Sequence, residues 1–269
     1  MLTIAGFDPS SGAGITADLM VFASFGCFGT ACVTALTVQS TTGVRASEAV
    51  APQLVSATLA CLESDLPVDG VKIGMLATRQ NVLAVCEFLG RVRARGGHVP
   101  VVLDPVLRSS SGRELLSADG VEALRERLLP LVNWVTPNLA ELGELTSLNV
   151  RKREEMEAAS RGLVERYRTL GVVAKGGHLE DCADDLVIGA DGRSTWLPGE
   201  RLISRSTHGT GCAFSSALAC GLALGGEAAE SAGAAKAFVR GAIECATPIG
   251  AGNGPMNLLW SLRKLRCAG

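Results

Sequence analysis

Short β-like runs alternate with helical patterns along almost the whole chain, and this alternation restricts the fold more than any other feature. LTIAG (2–6) reads as a strand, and GITADLMVFASFG follows it with Ile15, Leu19, Phe22 and Ala23 at helical spacing. A Val- and Thr-rich strand at 30–38, a helix at 52–65 and a strand at 71–75 come next. They lead to a helix at 80–94, with Val82, Val85, Cys86, Leu89 and Val92 on one face, and a buried strand at 99–104. Ser117 is placed to cap a helix running to Leu129. NWVTP (133–137) ends a strand at a proline, and two helical stretches lead to GVVAKGG (171–177). Residues 184–205 read as a β-hairpin turning at Asp191-Gly192, followed by two Ala-rich helices at 210–224 and 227–247. Repeated β–α units predict an α/β fold. It has a mainly parallel central sheet, helices on both faces, right-handed crossovers and a small hairpin near 184–205. No linker, repeat or low-complexity stretch interrupts the pattern, so residues 1–269 are expected to form one domain.

In such sheets ligands bind outside the carboxyl ends of the strands. Those ends are AGFDPSSGAG, VQSTTG, IGML, LDPVLRSSSG, TPNLAE and KGGH, which hold nearly all the polar and glycine-rich content, so the function is expected there. A net charge of −2 makes no electrostatic case for nucleic acid or a membrane surface. Met1 leads directly into LTIAG, and the apolar runs break well before the roughly 18–20 residues of a spanning helix. A soluble, cytoplasmic protein is expected. Nine cysteines without a C-x-x-C pair argue against a disulfide framework and a zinc knuckle. Most read as small buried hydrophobes; Cys212 is the exception.

Two nucleotide motifs are missing. Gly171 and Gly176 have P-loop spacing, but Gly177-His178 follow where Lys-Ser/Thr is needed; Gly12-Ala-Gly14 is followed by Ile-Thr-Ala, which breaks the dinucleotide fingerprint. Gly209-Thr210-Gly211-Cys212 nevertheless has the physics of a phosphate loop. Its glycines let the backbone approach closely, and the helix that starts there presents unpaired N–H groups to an anion. The small residues Ala213, Ser215, Ser216 and Ala217 let that helix pack tightly beneath the loop. A thiol at a helix N-terminus is expected to have a depressed pKa. Cys212 then accepts a proton from a bound hydroxyl while the loop amides hold a phosphoryl group. The rival use is a nucleophilic thiol with His208 as its base. A plain tight turn is the third possibility.

The motifs LTIAGFDPSSGAGITADL, CVTALTVQSTTGV, KIGML, VVLDPV, TPNLAE, KGGH and THGTGC occur in order over nearly the whole chain. Taken together, the sequence resembles the hydroxymethylpyrimidine/phosphohydroxymethylpyrimidine kinases of thiamine biosynthesis, in the ribokinase-like superfamily. The resemblance implies ATP-dependent phosphorylation of the pyrimidine's hydroxymethyl group and then of the monophosphate. It places Gln39 on the pyrimidine, with Gly6, Ala13 and Asp18 near the substrate and Met75 and Val106 as apolar walls. An amide, which donates and accepts, suits an aminopyrimidine edge. Asp104 and Glu141 match positions around magnesium (Mg2+) and the phosphates, while Asn138 and Lys175 match groups that orient and neutralise phosphate oxygens. The resemblance also implies a homodimer. The sequence departs from the family pattern at Ser110, where lysine is frequent, at Ser11, where glycine is common, and at Asn253, where histidine is frequent; Arg108 lies two residues before Ser110. Pyridoxal kinase, on the same superfamily machinery, is the alternative reading, and a catalytically silent ligand-binding homologue is a further one.

Overall fold

Parallel strands that read as unbroken apolar runs need cover on both faces, and the chain supplies it. The computed structural model describes residues 1–96, 98–109 and 112–262. The parallel strands are β1 (Leu2–Phe7), β2 (Thr30–Ser40), β4 (Val71–Ile73), β5 (Val101–Leu103), β6 (Trp134–Val135) and β7 (Gly171–Ala174). Antiparallel strands flank them: β3 (Gly43–Ala49) on one edge, β8 (Asp185–Ile188) and β9 (Ser194–Leu197) on the other. The sheet order is β3-β2-β1-β4-β5-β6-β7-β8-β9.

Alternation along each strand sends side chains to opposite faces. Val101 and Leu103 of β5 pack with α2 (Pro52–Asp65), α3 (Arg79–Ala94), α4 (Ala118–Ala123), α5 (Leu139–Thr146) and α6 (Arg153–Arg166). Val102, between them, packs on the other side with α1 (Gly14–Ser24), α7 (Thr210–Ala223) and α8 (Ala228–Glu244). The chain leaves β1 for β2 on one side and later returns to β4 on the other. The loops after β1 and β4 therefore diverge, opening a crevice at the switch point of the sheet.

Three local features differ from expectation. β3 was not anticipated: GVRASEA carries arginine, glutamate and serine on a half-exposed edge, so it has no apolar run to read. Ser117 occupies the cap position of α4, but its hydroxyl donates to Asp119 Oδ1 at 2.6 Å instead of accepting from the backbone. The helix expected through Leu129 stops at Ala123 and continues as a π turn (Leu124–Leu128) and a 3-10 turn (Leu129–Leu131). Pro130 explains the change, since it has no N–H to give and its ring crowds the carbonyl four residues back. The hairpin forms as expected, with Arg193 N donating to Asp191 Oδ1 at 3.0 Å. Ser110 lies outside the described residues; Arg108 lines the cavity mouth and is paired with Glu114 at 3.2 Å.

Candidate active site

The N-terminus of α7 sits over the crevice. Gly209 takes φ +80°, and a Cβ there would run into the carbonyl of Gly12, so glycine is required on both counts. The first i→i−4 bond of α7 is Ala213 N to Gly209 O at 2.9 Å, which puts the N–H groups of Thr210, Gly211 and Cys212 ahead of the helical ladder. Ala213, Ser215, Ser216 and Ala217 are buried beneath them, as the run of small residues anticipates. A Cβ on Gly211 would lie 3.1 Å from Lys175 Nζ and 3.4 Å from Asp104 Oδ2. The glycine loop, a cation and a carboxylate thus converge on one spot.

Asp104 stands at the end of β5 and Lys175 just past β7, with Lys175 Nζ 2.8 Å from Asp104 Oδ1 and 4.0 Å from Glu141 Oε2. Glu141 and Asn138 form a capping box on α5: Asn138 Oδ1 accepts from Glu141 N at 2.9 Å, and Glu141 Oε2 accepts from Asn138 N at 2.8 Å. Glu141 is therefore a helix cap and a site carboxylate at once. Burial raises its pKa, and Asp104 raises it further against the pull of Lys175. Burial alone would lower the pKa of Lys175, but the two carboxylates hold it above the ordinary lysine value. Among the described residues no group of three or more His, Cys, Asp or Glu forms a cage for a metal. Two buried carboxylates beside the leading N–H groups of α7 do fit magnesium, which keeps waters and binds through one or two carboxylates plus phosphate oxygens.

Cys212 lines the same cavity, but its expected low pKa is overturned. Burial pushes the thiol up to about 11, opposed by Lys72 and a Gly14 backbone hydrogen bond and reinforced by Asp104 and Asp18. Asp18 is also corrected. It is fully buried behind the loop, where it accepts from Thr3 Oγ1 at 2.6 Å, Ser216 Oγ at 2.8 Å and Lys72 Nζ at 2.8 Å. Its place on the inward face of α1 aims it at Lys72, away from the cavity, so it pins β1, α1, β4 and α7 together and cannot touch a substrate.

The cavity measures about 720 Å3 and runs from the loop to a second, more apolar end. Gly6, Ala13, Gln39, Met75 and Val106 all line it, as do Asn138, Lys175, Asp104, Glu141 and Gly209–Cys212. Met75 and Val106 belong to a small apolar cluster with Ala35 and Leu115. Gln39 faces the cavity by alternation with Thr37 along β2, between exposed Leu36, Val38 and Ser40, and opposite it β3 bulges, with Val38 paired to Ala46, Gln39 to Val44 and Arg45 left as the extra residue. Two ion pairs in the lining lie outside the roles expected from sequence, His208 having been named only as the base of the rival thiol reading. Asp8 and His208 meet at 2.7 Å near Gln39, and Asp185 and Lys236 pair at 2.9 Å beyond Lys175. Asp8 lies within the strand-end loop FDPSSG, the signal that would have found it; Lys236 sits in an Ala-rich helix that gives none.

With this geometry in view, comparison with known proteins is informative. The family model "Phosphomethylpyrimidine kinase" matches residues 8–257. The hydroxymethylpyrimidine/phosphomethylpyrimidine kinase of Rhizobium meliloti is 42% identical over 259 residues, 95% of each chain. The thiamine biosynthesis bifunctional protein ThiED of Geobacter sulfurreducens is 40% identical over 99% of this chain, which spans only 53% of that longer protein. Among solved structures, phosphomethylpyrimidine kinase of Clostridium difficile superposes with a TM-score of 0.78 at 33% identity, covering 89% of this chain and 96% of that one. An ADP complex of Bacillus subtilis pyridoxal kinase superposes with a TM-score of 0.86 at 30% identity over 98% of both chains. Given the full-length match and a site in which the motif residues converge, the chain belongs to the phosphomethylpyrimidine kinase family.

Proposed function

We propose that the protein transfers the γ-phosphoryl group of ATP to the hydroxymethyl group of an aminopyrimidine, and then phosphorylates the resulting monophosphate, in thiamine biosynthesis. One observation carries this reading: a phosphate loop, Lys175 and two carboxylates meet at one end of a cavity whose other end is apolar and holds an amide, Gln39. Gln39 holds the ring against Met75 and Val106, which turns the hydroxymethyl group towards Cys212. The N–H groups of Gly211 and Cys212 and the Lys175 ammonium offset charge on the migrating phosphoryl group. Phosphoryl transfer depends mainly on such positioning and electrostatics. Asp104 and Glu141 would hold magnesium, which neutralises phosphate charge when bound, and the Asn138 side-chain N–H group would face a phosphate oxygen. The alcohol's proton goes to Cys212 Sγ. Because its pKa is about 11, this step runs through a minor thiolate population stabilised by Lys72 and Gly14 N–H.

ATP as the donor is supported by relatives crystallised with ADP and with AMP-PCP. A homodimer is part of the proposal, and the exposed Leu36 and Val38 on β2 offer it an apolar strip. So is a cytoplasmic location; among the described residues no helix is long and apolar enough to cross a membrane. Pyridoxal is the competing substrate, because a similar fold in Staphylococcus aureus pyridoxal kinase takes AMP-PCP and pyridoxal together. The test is a reaction with ATP and magnesium on hydroxymethylpyrimidine, its monophosphate and pyridoxal, with products identified by mass. The proposal expects phosphate on both pyrimidines and a higher kcat/KM for hydroxymethylpyrimidine than for pyridoxal. A preference for pyridoxal, ligand binding without transfer, or a covalent adduct on Cys212 during turnover would each overturn it.

A further inference from the structure

The amide of Gln39 enters the cavity between two side chains. Its Nε2 lies 2.9 Å from His208 Nε2, and its Oε1 lies 3.3 Å from Thr37 Oγ1. His208 Nε2 is also 2.7 Å from Asp8 Oδ2. Asp8 is ionised at neutral pH: burial opposes the charge, but hydrogen bonds from His208 and Ser10 hold its pKa below the usual range. Ser10 N and Oγ donate to Oδ1 at 2.9 and 2.7 Å, and Ala13 N donates to Oδ2 at 3.0 Å. A carboxylate only accepts, so the hydrogen between Asp8 and His208 sits on the imidazole Nε2. A protonated Nε2 has no lone pair to accept an amide N–H 2.9 Å away, so the Gln39 atom there has to be an acceptor that shares the N–H held by Asp8.

Amide oxygen and nitrogen are distinguished by their partners. The end of Gln39 at His208 must therefore be the oxygen. The contact at Thr37 demands the same rotation independently. Thr37 Oγ1 directs its one hydrogen to Phe7 O at 2.9 Å, which leaves only lone pairs for Gln39. A half-turn of the amide removes both conflicts. In that orientation one amide N–H bonds Thr37 and the other is left to donate, while Oε1 keeps a lone pair to accept. An aminopyrimidine edge carries a ring nitrogen that accepts beside an exocyclic amine that donates, so one register of the ring matches and the flipped one does not.

We propose that His208, held by Asp8, is a positioning residue that locks the Gln39 amide in this orientation and so determines which edge of a heteroaromatic ring the site reads. The inference rests on the reading of Gln39 as the group that holds the pyrimidine. The imidazole has its own seat: a Cβ on Gly12 would collide with His208 Cδ2, so glycine there makes room for the ring. His208 N also donates to Gly254 O at 3.1 Å, which fixes the residue immediately before the phosphate loop.

The test is a double-mutant cycle of Gln39→Leu and His208→Phe, reading KM for hydroxymethylpyrimidine and for ATP. Gln39→Leu is expected to raise the hydroxymethylpyrimidine KM roughly tenfold to a hundredfold, as for a lost hydrogen bond to a bound ring. His208→Phe is expected to raise it by about as much, and the double variant to be no worse than Gln39→Leu alone, because His208 acts through Gln39. The KM for ATP should stay within about twofold throughout, which loss of a general structural role would not allow. Multiplying effects in the double variant, or an unchanged KM in His208→Phe, would overturn the inference and leave the assignment of Gln39 standing. An unchanged KM in Gln39→Leu would overturn both. If His208→Phe does not fold, Asp8→Ala replaces it in the same cycle, since alanine has no acceptor to hold the imidazole N–H.

Discussion

Lys72→Met leaves Asp18 as a bare charge beneath the Gly209–Cys212 loop. Both side chains of the pair are 0% exposed, with Lys72 Nζ 2.8 and 2.9 Å from the two carboxylate oxygens. The ammonium keeps its proton, since Asp18 outweighs the lowering effect of burial together with Cys212 and Asp104. After the substitution the hydroxyls of Thr3 and Ser216 are, among the described residues, the side-chain donors left to Asp18. Breaking a buried pair by removing one partner costs about 3–5 kcal/mol. At roughly 2–4 °C per kcal/mol for a domain of this size or slightly smaller, the melting temperature should fall by roughly 6–20 °C. Differential scanning calorimetry at neutral pH measures this. Adding Asp18→Asn to Lys72→Met removes the stranded charge with little change of shape, and should restore about half of the loss or more. A Lys72→Met protein melting within about 2 °C of the parent would refute the reasoning, because it would mean the pair is hydrated or unnecessary.

Cys212→Ala should lower kcat by about 10²–10⁴-fold while the KM for ATP changes little, the signature of a lost proton acceptor. Because burial raises the thiol pKa to about 11, the reactive thiolate becomes more abundant as pH increases. The parent's kcat/KM should therefore rise by about one log unit per pH unit between roughly pH 7 and 9.5, and Cys212→Ala should lose that slope. A flat profile in the parent would show that the proton leaves by another route. Gly209→Ala places a side chain at φ +80° against the Gly12 carbonyl, and should cost about 1–3 kcal/mol in thermal or denaturant unfolding together with most of the kinase activity.

The fold was legible where local chemistry and tertiary structure agree. Pro52 at the first turn of α2 and the apolar face of α3 place those helices almost to the residue. The strand-end loops also found the site, because polar and glycine-rich residues cluster at the carboxyl ends of apolar strands. At the site the failures share one cause: each depends on a partner far away in sequence. Asp18 has the spacing of an exposed or ligand-facing helix residue, and nothing near it announces Lys72, 54 residues on. Cys212 lines the cavity at the start of α7, but the burial that raises its pKa follows from packing that no local pattern encodes. His208 was weighed only against its neighbour Cys212. Its actual partners, Asp8 and Gln39, are 200 and 169 residues away. β3 went unread because an edge strand has no need of an apolar run.

A crystal structure with hydroxymethylpyrimidine and a non-hydrolysable ATP analogue tests the central claim most directly. The account predicts the γ-phosphoryl group within about 2.7–3.1 Å of the Gly211 and Cys212 N–H groups, Lys175 on its oxygens, and the pyrimidine on Gln39 with its hydroxymethyl oxygen towards Cys212 Sγ. A triphosphate bound away from the start of α7, or a pyrimidine whose hydroxyl faces away from Cys212, would contradict it.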